Sequence, residues 1–166
     1  MKQLVYIADA DTAIASLPLA EPFAYELVRP SLFHPTPGGI PFPRFAAYAA
    51  MFRGRDYRVA LIRLGAQTVH YLAATPPYWR FPFMKPNDVQ IGDVSTLESA
   101  RGHSLAAYSV AETVRRMTMP GRRFWYLVDE TNAASIRVAE KAGLVRSGAA
   151  IEKGLGILGS YQLIEG

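Results

Sequence analysis

The spacing of apolar residues changes along this chain, and each change marks an element. Leu4–Ala8 is a short apolar run closed by Asp9 and Asp11, which predicts a strand. Tyr25–Val28 predicts a second, and Pro18 and Pro22 limit any helix between them to short pieces. Pro30–Pro43 holds five of the twelve prolines and two adjacent glycines, the composition of a structured loop. Phe45–Phe52 predicts a brief helix ending near Gly54. Tyr57–Leu64 and Gln67–Ala74 are β-rich runs with Gly65 between them, a hairpin signal. Thr75–Pro86 is a second Pro/aromatic loop carrying Tyr78, Trp79, Phe81 and Phe83. Such a loop either lines a pocket or plugs the end of a sheet, and both readings stand.

After this loop the period alternates between two and 3.6. Asp88–Thr96 predicts a central strand, followed by a tight Arg101–Ser104 turn. Ser104–Thr118 predicts a helix with Ala106, Val110, Val114 and Met117 on one stripe, Ala107 and Ala111 beside it, and a Glu112–Arg116 pair opposite. Pro120-Gly121 stops it. Phe124–Val128 is continuously apolar, as in a strand covered on both faces. Asn132 is placed to cap a helix over Ala133–Ala142, with Gly143 at its C-cap. Leu144–Glu152 and Ile157–Ile164 predict terminal strands around glycines 154, 156 and 159. The order predicts an α/β layer with a mixed sheet in a single domain.

Composition narrows the chemistry. The chain has 166 residues, enough for one sizeable core. It has no cysteine, which excludes disulfides and thiolate metal sites. Its three histidines are scattered, so no metal site is expected. No run is long enough to span a membrane, and Asp9 and Asp11 interrupt the apolar start, against a signal peptide. A cytoplasmic location is the default. The net charge of +4 is dispersed over Arg53-Arg55-Arg58, Arg115-Arg116 and Arg122-Arg123. A nucleic-acid surface would show a denser basic stripe, so no nucleic-acid partner is expected, while an anionic ligand fits.

The stretch Ile91–Val110 is a strand, a Gly-bearing turn and a helix start. Free backbone N–H groups and the positive end of a helix dipole converge there, the recipe for a phosphate site. The amides of Gly102, His103, Ser104, Leu105 and Ala106 would face the phosphates, with Arg101 adding charge or only capping the turn.

Two motifs carry a resemblance. Arg101-Gly102-His103-Ser104-Leu105-Ala106 is similar to the Arg/Gln-x-x-Gly-x-Gly/Ala pyrophosphate loop of the GNAT family of acyl-CoA-dependent N-acyltransferases. Asn132 to Leu144 (NAASIRVAEKAGL) resembles that family's Asn-x-x-Ser-x-x-x-x-Glu-Lys-x-Gly-Phe helix. Together they cover about Val89 to Gly148. The resemblance implies a GNAT-like α/β fold, a mixed, mostly antiparallel central sheet flanked by helices. Residues 1–87 would form an acceptor-side variable half and 88–152 an acyl-CoA-binding core. It implies acetyl-CoA or another acyl-CoA as co-substrate. Backbone groups of Val94 and Thr96 would hold the pantetheine arm, Asn132 would touch it, and an amide near Thr96 would stabilise the oxyanion.

The chain departs from the family pattern at four positions. Ser104 stands for the usual central Gly, where its Cβ crowds a phosphate or its hydroxyl binds one. Ala139 stands where many members carry a Tyr that protonates the leaving thiolate. Leu144 replaces a Phe, a tolerable apolar swap. Gln90 stands where many members place a Glu base. Asp93 is the nearest carboxylate, but strand alternation points it away from the face of Val94, and only a bulge would re-aim it. Glu98, Asp88 and His70 are the other candidates, each with a structural role as its simpler explanation.

The resulting expectation is direct transfer of an acetyl or other short acyl group to a primary amine, held between Pro30–Pro43 and Thr75–Pro86. Gly92-Asp93-Val94-Ser95-Thr96 and Ser135–Gly143 also resemble members found with sugar and polysaccharide pathways, so an amino sugar is one expected acceptor. A small amine or a protein amine is another. A non-catalytic acyl-CoA-binding module is the rival reading. A homodimer is common in the family, and nothing in the sequence demonstrates one.

Overall fold

The computed structural model describes residues 2–31, 33, 43–154 and 159–164. Its strands are β1 (Lys2–Ala8), β2 (Phe23–Val28), β3 (Arg58–Leu64), β4 (Gln67–Thr75), β5 (Val89–Thr96), β6 (Phe124–Asp129), β7 (Val145–Lys153) and β8 (Ser160–Ile164). Its helices are α1 (Pro43–Met51), α2 (Leu105–Met117) and α3 (Ala133–Ala142). The strands form one sheet in the order β2-β3-β4-β5-β6-β1-β7-β8. Every neighbouring pair is antiparallel except β5–β6.

Alternation along the strands sorts the core into two layers. Leu4, Tyr6, Val89, Ile91, Phe124, Tyr126 and Val128 face Val110, Val114 and Met117 of α2 and Ala139 and Ala142 of α3. On the other face Val59, Leu61 and Ala73 pack under Phe45 and Phe52 of α1. Val5, Trp125 and Ala150 pack under Phe81 and Met84. β6 is therefore covered on both faces, as its unbroken apolar run predicts. The second aromatic loop roofs the sheet on the α1 side.

The predicted elements are present with small shifts. The buried stripe of α2 starts at Leu105 and Ala107, and Ala106 is only half-buried, because Ser104 ends the preceding turn one residue before the helix. Glu112 pairs with Arg116 at 2.7 Å and with Arg115 at 2.6 Å. Arg122 is buried, bonded to Asp56, Asn87 O and Met117 O. Several basic residues of the dispersed clusters thus hold the fold together. Of the Pro30–Pro43 loop, positions 32 and 34–42 lie outside the described residues, as do 157 and 158 of the last predicted strand. Among the described residues, no helix is long and apolar enough to cross a membrane, and no group of acids and histidines is placed to hold a metal ion.

Candidate active site

β5 and β6 pair for only three residues, Val89↔Phe124, Gln90↔Trp125 and Ile91↔Tyr126, and then separate. The cause is on the other edge of β5. Ala73 pairs with Gly92 and Tyr71 with Ser95, so Leu72 stands opposite both Asp93 and Val94. This is a β-bulge, and Asp93 occupies it with φ of 50°. A bulge bends its strand and adds twist. Beyond it a cleft of about 170 Å³ opens between the two parallel strands. Ile91–Val94 form one wall, Tyr126–Asp129 the other, and Asn132 and Ser135 one end.

The bulge also decides which way Asp93 faces. Simple alternation would place it with Ile91, toward α2 and α3. Instead Val94 packs against that core, and the Asp93 carboxylate accepts a hydrogen bond from Tyr48 Oη of α1 at 3.1 Å. Burial, and then the Asp93 charge, push the Tyr48 phenol far above its ordinary pKa, so it remains a donor. The same two causes raise Tyr57.

Asp93 and Gly92 line a second cavity on this face, about 410 Å³, walled by Tyr48, Tyr78, Trp79, Phe81 and Tyr161. Gly92 leaves room there for the Gln90 side chain. A Cβ on it would lie 2.6 Å from the Gln90 side-chain nitrogen, because Gln90 folds over it to donate to Ile91 O at 2.7 Å and accept from Thr75 at 3.2 Å. The two cavities therefore share Gly92 and Asp93 in their linings. Another hollow of about 270 Å³, lined by Arg29, Phe33, Arg53 and Arg55, shares no lining residue with either.

The phosphate-type loop follows β5. A one-turn 3-10 segment at Glu98–Ala100 leads to Gly102, with φ of 88° and open space where a Cβ would stand. Ser104 takes the left-handed conformation that a glycine would adopt without strain, with φ of 58° and ψ of 21°. α2 then begins, and the N–H groups of its first turn have no partner within the helix. Lys141 Nζ donates to Ser104 Oγ at 2.6 Å. Arg101 is exposed, and the His103 ring packs against Phe23 at 5.2 Å.

The other candidate residues have structural partners. Asp88 is buried and accepts from Lys85 N, Arg123 N and Trp125 Nε1. His70 is buried, with Nδ1 2.8 Å from Thr96 Oγ1, and burial brings its pKa down to about 3. Thr96 lies three residues past the bulge and does not line the cleft. Glu98 is exposed in the 3-10 turn. Asn132 caps α3, accepting from Ser135 N at 3.0 Å, and also ends the cleft. Ala139 is fully buried.

The structure thus brings Asp93, Val94 and Asn132 to one cleft and sets the Arg101–Ala106 turn at the start of α2. The sequence reading did not assign roles to Gly92, Tyr48, Tyr161 or Lys141. A glycine inside a strand is a bulge or close-approach signal, and Gly92 directly precedes Asp93. Of the two loops expected to wall the acceptor, Thr75–Pro86 supplies Tyr78–Phe81. Pro30, Ser31 and Phe33 border the other hollow, and α1 takes the second wall.

Solved structures share this arrangement of elements. A GCN5-related N-acetyltransferase from Kribbella flavida matches with a TM-score of 0.56 at 16% identity, over 90% of this chain and 56% of that one. A GNAT-family acetyltransferase from Colwellia psychrerythraea matches at 0.62 and 12% identity, over 88% and 53%. A GCN5-related N-acetyltransferase from Sphaerobacter thermophilus matches at 0.60 and 17%, over 89% and 49%. This chain has the GNAT fold, and it spans about half the length of these three structures. No protein-family model and no curated protein matches the sequence.

Proposed function

We propose that this chain is an acyl-CoA-dependent N-acyltransferase that moves an acetyl or other short acyl group to a primary amine. One observation carries the reading. Gly92 and Asp93 line both the cleft at the strand split and the aromatic cavity, so two reactants held there would meet at the bulge. Holding reactants in contact is itself a large part of catalysis.

The residues present fit an acyl-CoA. The Gly102–Ala106 amides, the open space at Gly102 and the Lys141 ammonium suit a pyrophosphate. Arg101 and His103 flank it. The β6-side edge of β5 past Ile91, through Val94 toward Thr96, suits the amide-bearing arm, with Asn132 beside it. When bound, the thioester supplies an activated acyl carbon. The backbone at Gly92–Val94 orients its carbonyl and donates to the oxygen, which moves this role from the Thr96 end of the strand to the bulge. Asp93 takes the proton that the amine gives up, and Tyr48 fixes the carboxylate. A carbon–nitrogen bond forms as the carbon–sulfur bond breaks. A thiol with pKa near 8–9 leaves as thiolate without an acid, so the alanine at position 139 is compatible with turnover.

In this reading the half up to residue 87 serves the acceptor and 88–152 the acyl-CoA. Gln90, Gly92, Asp93 and Tyr161 extend the acceptor side beyond that boundary.

The test is calorimetric titration with acetyl-CoA combined with a free-thiol assay over a panel of primary amines. We expect saturable binding, weakened at least tenfold by Gly102→Val, and amine-dependent thiol release. Tight binding without release would make the chain a non-catalytic acyl-CoA-binding module. Absence of binding would end both readings.

A further inference from the structure

Resting on the acyl-transfer reading, we infer that the acceptor is a primary amine carried on a compact aromatic or apolar body, and not an amino sugar. The cavity beside the bulge has the size of a small-molecule site, about 410 Å³. Its walls are largely rings held by one another. Tyr78 packs edge-on to Trp79 at 5.2 Å and to Phe81 at 5.1 Å. Phe81 stacks on Tyr161 at 5.6 Å with planes 7° apart. Tyr48 lies 6.4 Å from Tyr78. Rings fixed in this way offer a preformed apolar surface, and little side-chain freedom is lost on binding.

The polar groups sort the candidate bodies. A sugar needs donors and acceptors for each hydroxyl. Two wall side chains that could serve it already have partners, and the other polar side-chain groups of the wall are single polar atoms of Tyr48, Tyr78, Trp79 and Tyr161 and the Asp93 carboxylate. Gln90 is bonded to Thr75 and Ile91 O, and Arg80 donates to Glu152 at 2.9 Å while lying over the Tyr161 ring. Leaving sugar hydroxyls without partners against rings would cost affinity. An ammonium is suited differently. Ring faces attract cations, and a carboxylate accepts several donors at once, so Asp93 receives the amine next to Tyr48. Trp79 is half-exposed at the rim and presents an apolar surface to an incoming body. The amine then sits at the junction with the acyl-CoA cleft, and the body fills the cavity behind it.

The experiment uses three probes with the full chain. Phenethylamine and glucosamine are compared in the acetyl-CoA thiol-release assay. Phenethyltrimethylammonium, which cannot be acylated, is titrated by calorimetry. We expect kcat/KM for phenethylamine at least tenfold above that for glucosamine. We also expect binding of the trimethylammonium probe, weakened about tenfold by Tyr78→Leu. Trp79→Leu, at a half-exposed position that leaves the core intact, should weaken it several-fold. Glucosamine equal to or better than phenethylamine would overturn the inference and leave acyl transfer standing. Probe binding that both substitutions weaken, with no amine turned over, would support the pocket assignment while the acyl-transfer reading fell. No probe binding, or binding indifferent to both substitutions, would overturn the inference.

Discussion

The Lys141 ammonium stands 2.6 Å from the Ser104 hydroxyl, joining the last turn of α3 to the residue that starts α2. The contact is exposed, so its worth to folding is small. Its position matters more. It sets a cation beside the free N–H groups of a helix start, where an anion gains from both. Lys141→Met should weaken acetyl-CoA binding three- to tenfold and flatten its salt dependence. It should leave binding of a pantetheine thioester without phosphates unchanged. Calorimetry at two ionic strengths checks this. Equal losses for both ligands would mean that Lys141 acts only on the loop's shape.

Ser104 holds a left-handed conformation at φ 58° without making a side-chain cap bond. That geometry costs an L-residue about 1–2 kcal/mol, against about 0.5–1 kcal/mol for the extra backbone freedom of glycine. Ser104→Gly should therefore stabilise the chain by up to about 1 kcal/mol, a rise of about 2–4 °C in Tm. Acetyl-CoA affinity should hold or improve. A steep loss of affinity in a variant that melts higher would show that the hydroxyl serves the phosphates, directly or by holding Lys141.

The sequence showed most clearly what is written locally. Asn132, the α3 run and Gly143 specify a helix with both ends capped, and the structure has the cap bond from Ser135 N and a left-handed Gly143. The apolar β6 run and the Gly65 hairpin are equally local. The bulge is not. It exists because Leu72 of β4 faces two residues of β5, and no period within β5 alone reveals that. Asp93 lies on the face opposite Val94, as alternation expects, but the bulge turns both residues over relative to Ile91. Tyr48 and Tyr161 reach the same cavity from α1 and β8, so only the tertiary fold brings them to Asp93. The phosphate-type loop was legible because turn and helix start are contiguous. The bulge at Asp93 was not, because it depends on a neighbouring strand.

Gly143 tests the packing of the chain after β1. Its φ is 91°, and a Cβ there would lie 2.9 Å from Ala13 O and Ala15 N, both backbone. Ala15 N also donates to Ala142 O at 3.1 Å. Gly143→Ala must strain the backbone and push that segment off the end of α3, so it should cost about 2 kcal/mol or more. Gly121 is the control, with φ of 75° and nothing near its missing Cβ. Gly121→Ala should cost about 1 kcal/mol. Urea unfolding of both variants measures the difference. Equal costs would mean that the Ala13–Ala15 segment yields freely.

His70 gives the protein an acid sensitivity above the carboxylate range. The ring is buried with Nδ1 on Thr96, its Nε2 has no partner, and burial lowers its pKa from 6.5 to about 3. Between these values the unfolded chain binds a proton that the folded chain does not. Stability is therefore complete above about pH 6.5 and falls as pH drops toward 3, by about 1.4 kcal/mol per unit. About 2 kcal/mol should be lost by pH 5. Asp9 and Asp129, held low chiefly by hydrogen bonds from Thr12 and Thr131, act below their ordinary value of 3.8. Glu112, raised by burial but brought lower on balance by Arg115 and Arg116, acts below 4.5. This leaves the range from pH 6.5 to about pH 5 to the histidine. His70→Asn should be less stable at pH 7, where the buried contacts of the ring are lost, yet its stability should change little between pH 7 and pH 5. Urea unfolding of both proteins across that range decides it. Parallel curves would mean that His70 protonates in the folded state and that some other group carries the acid sensitivity.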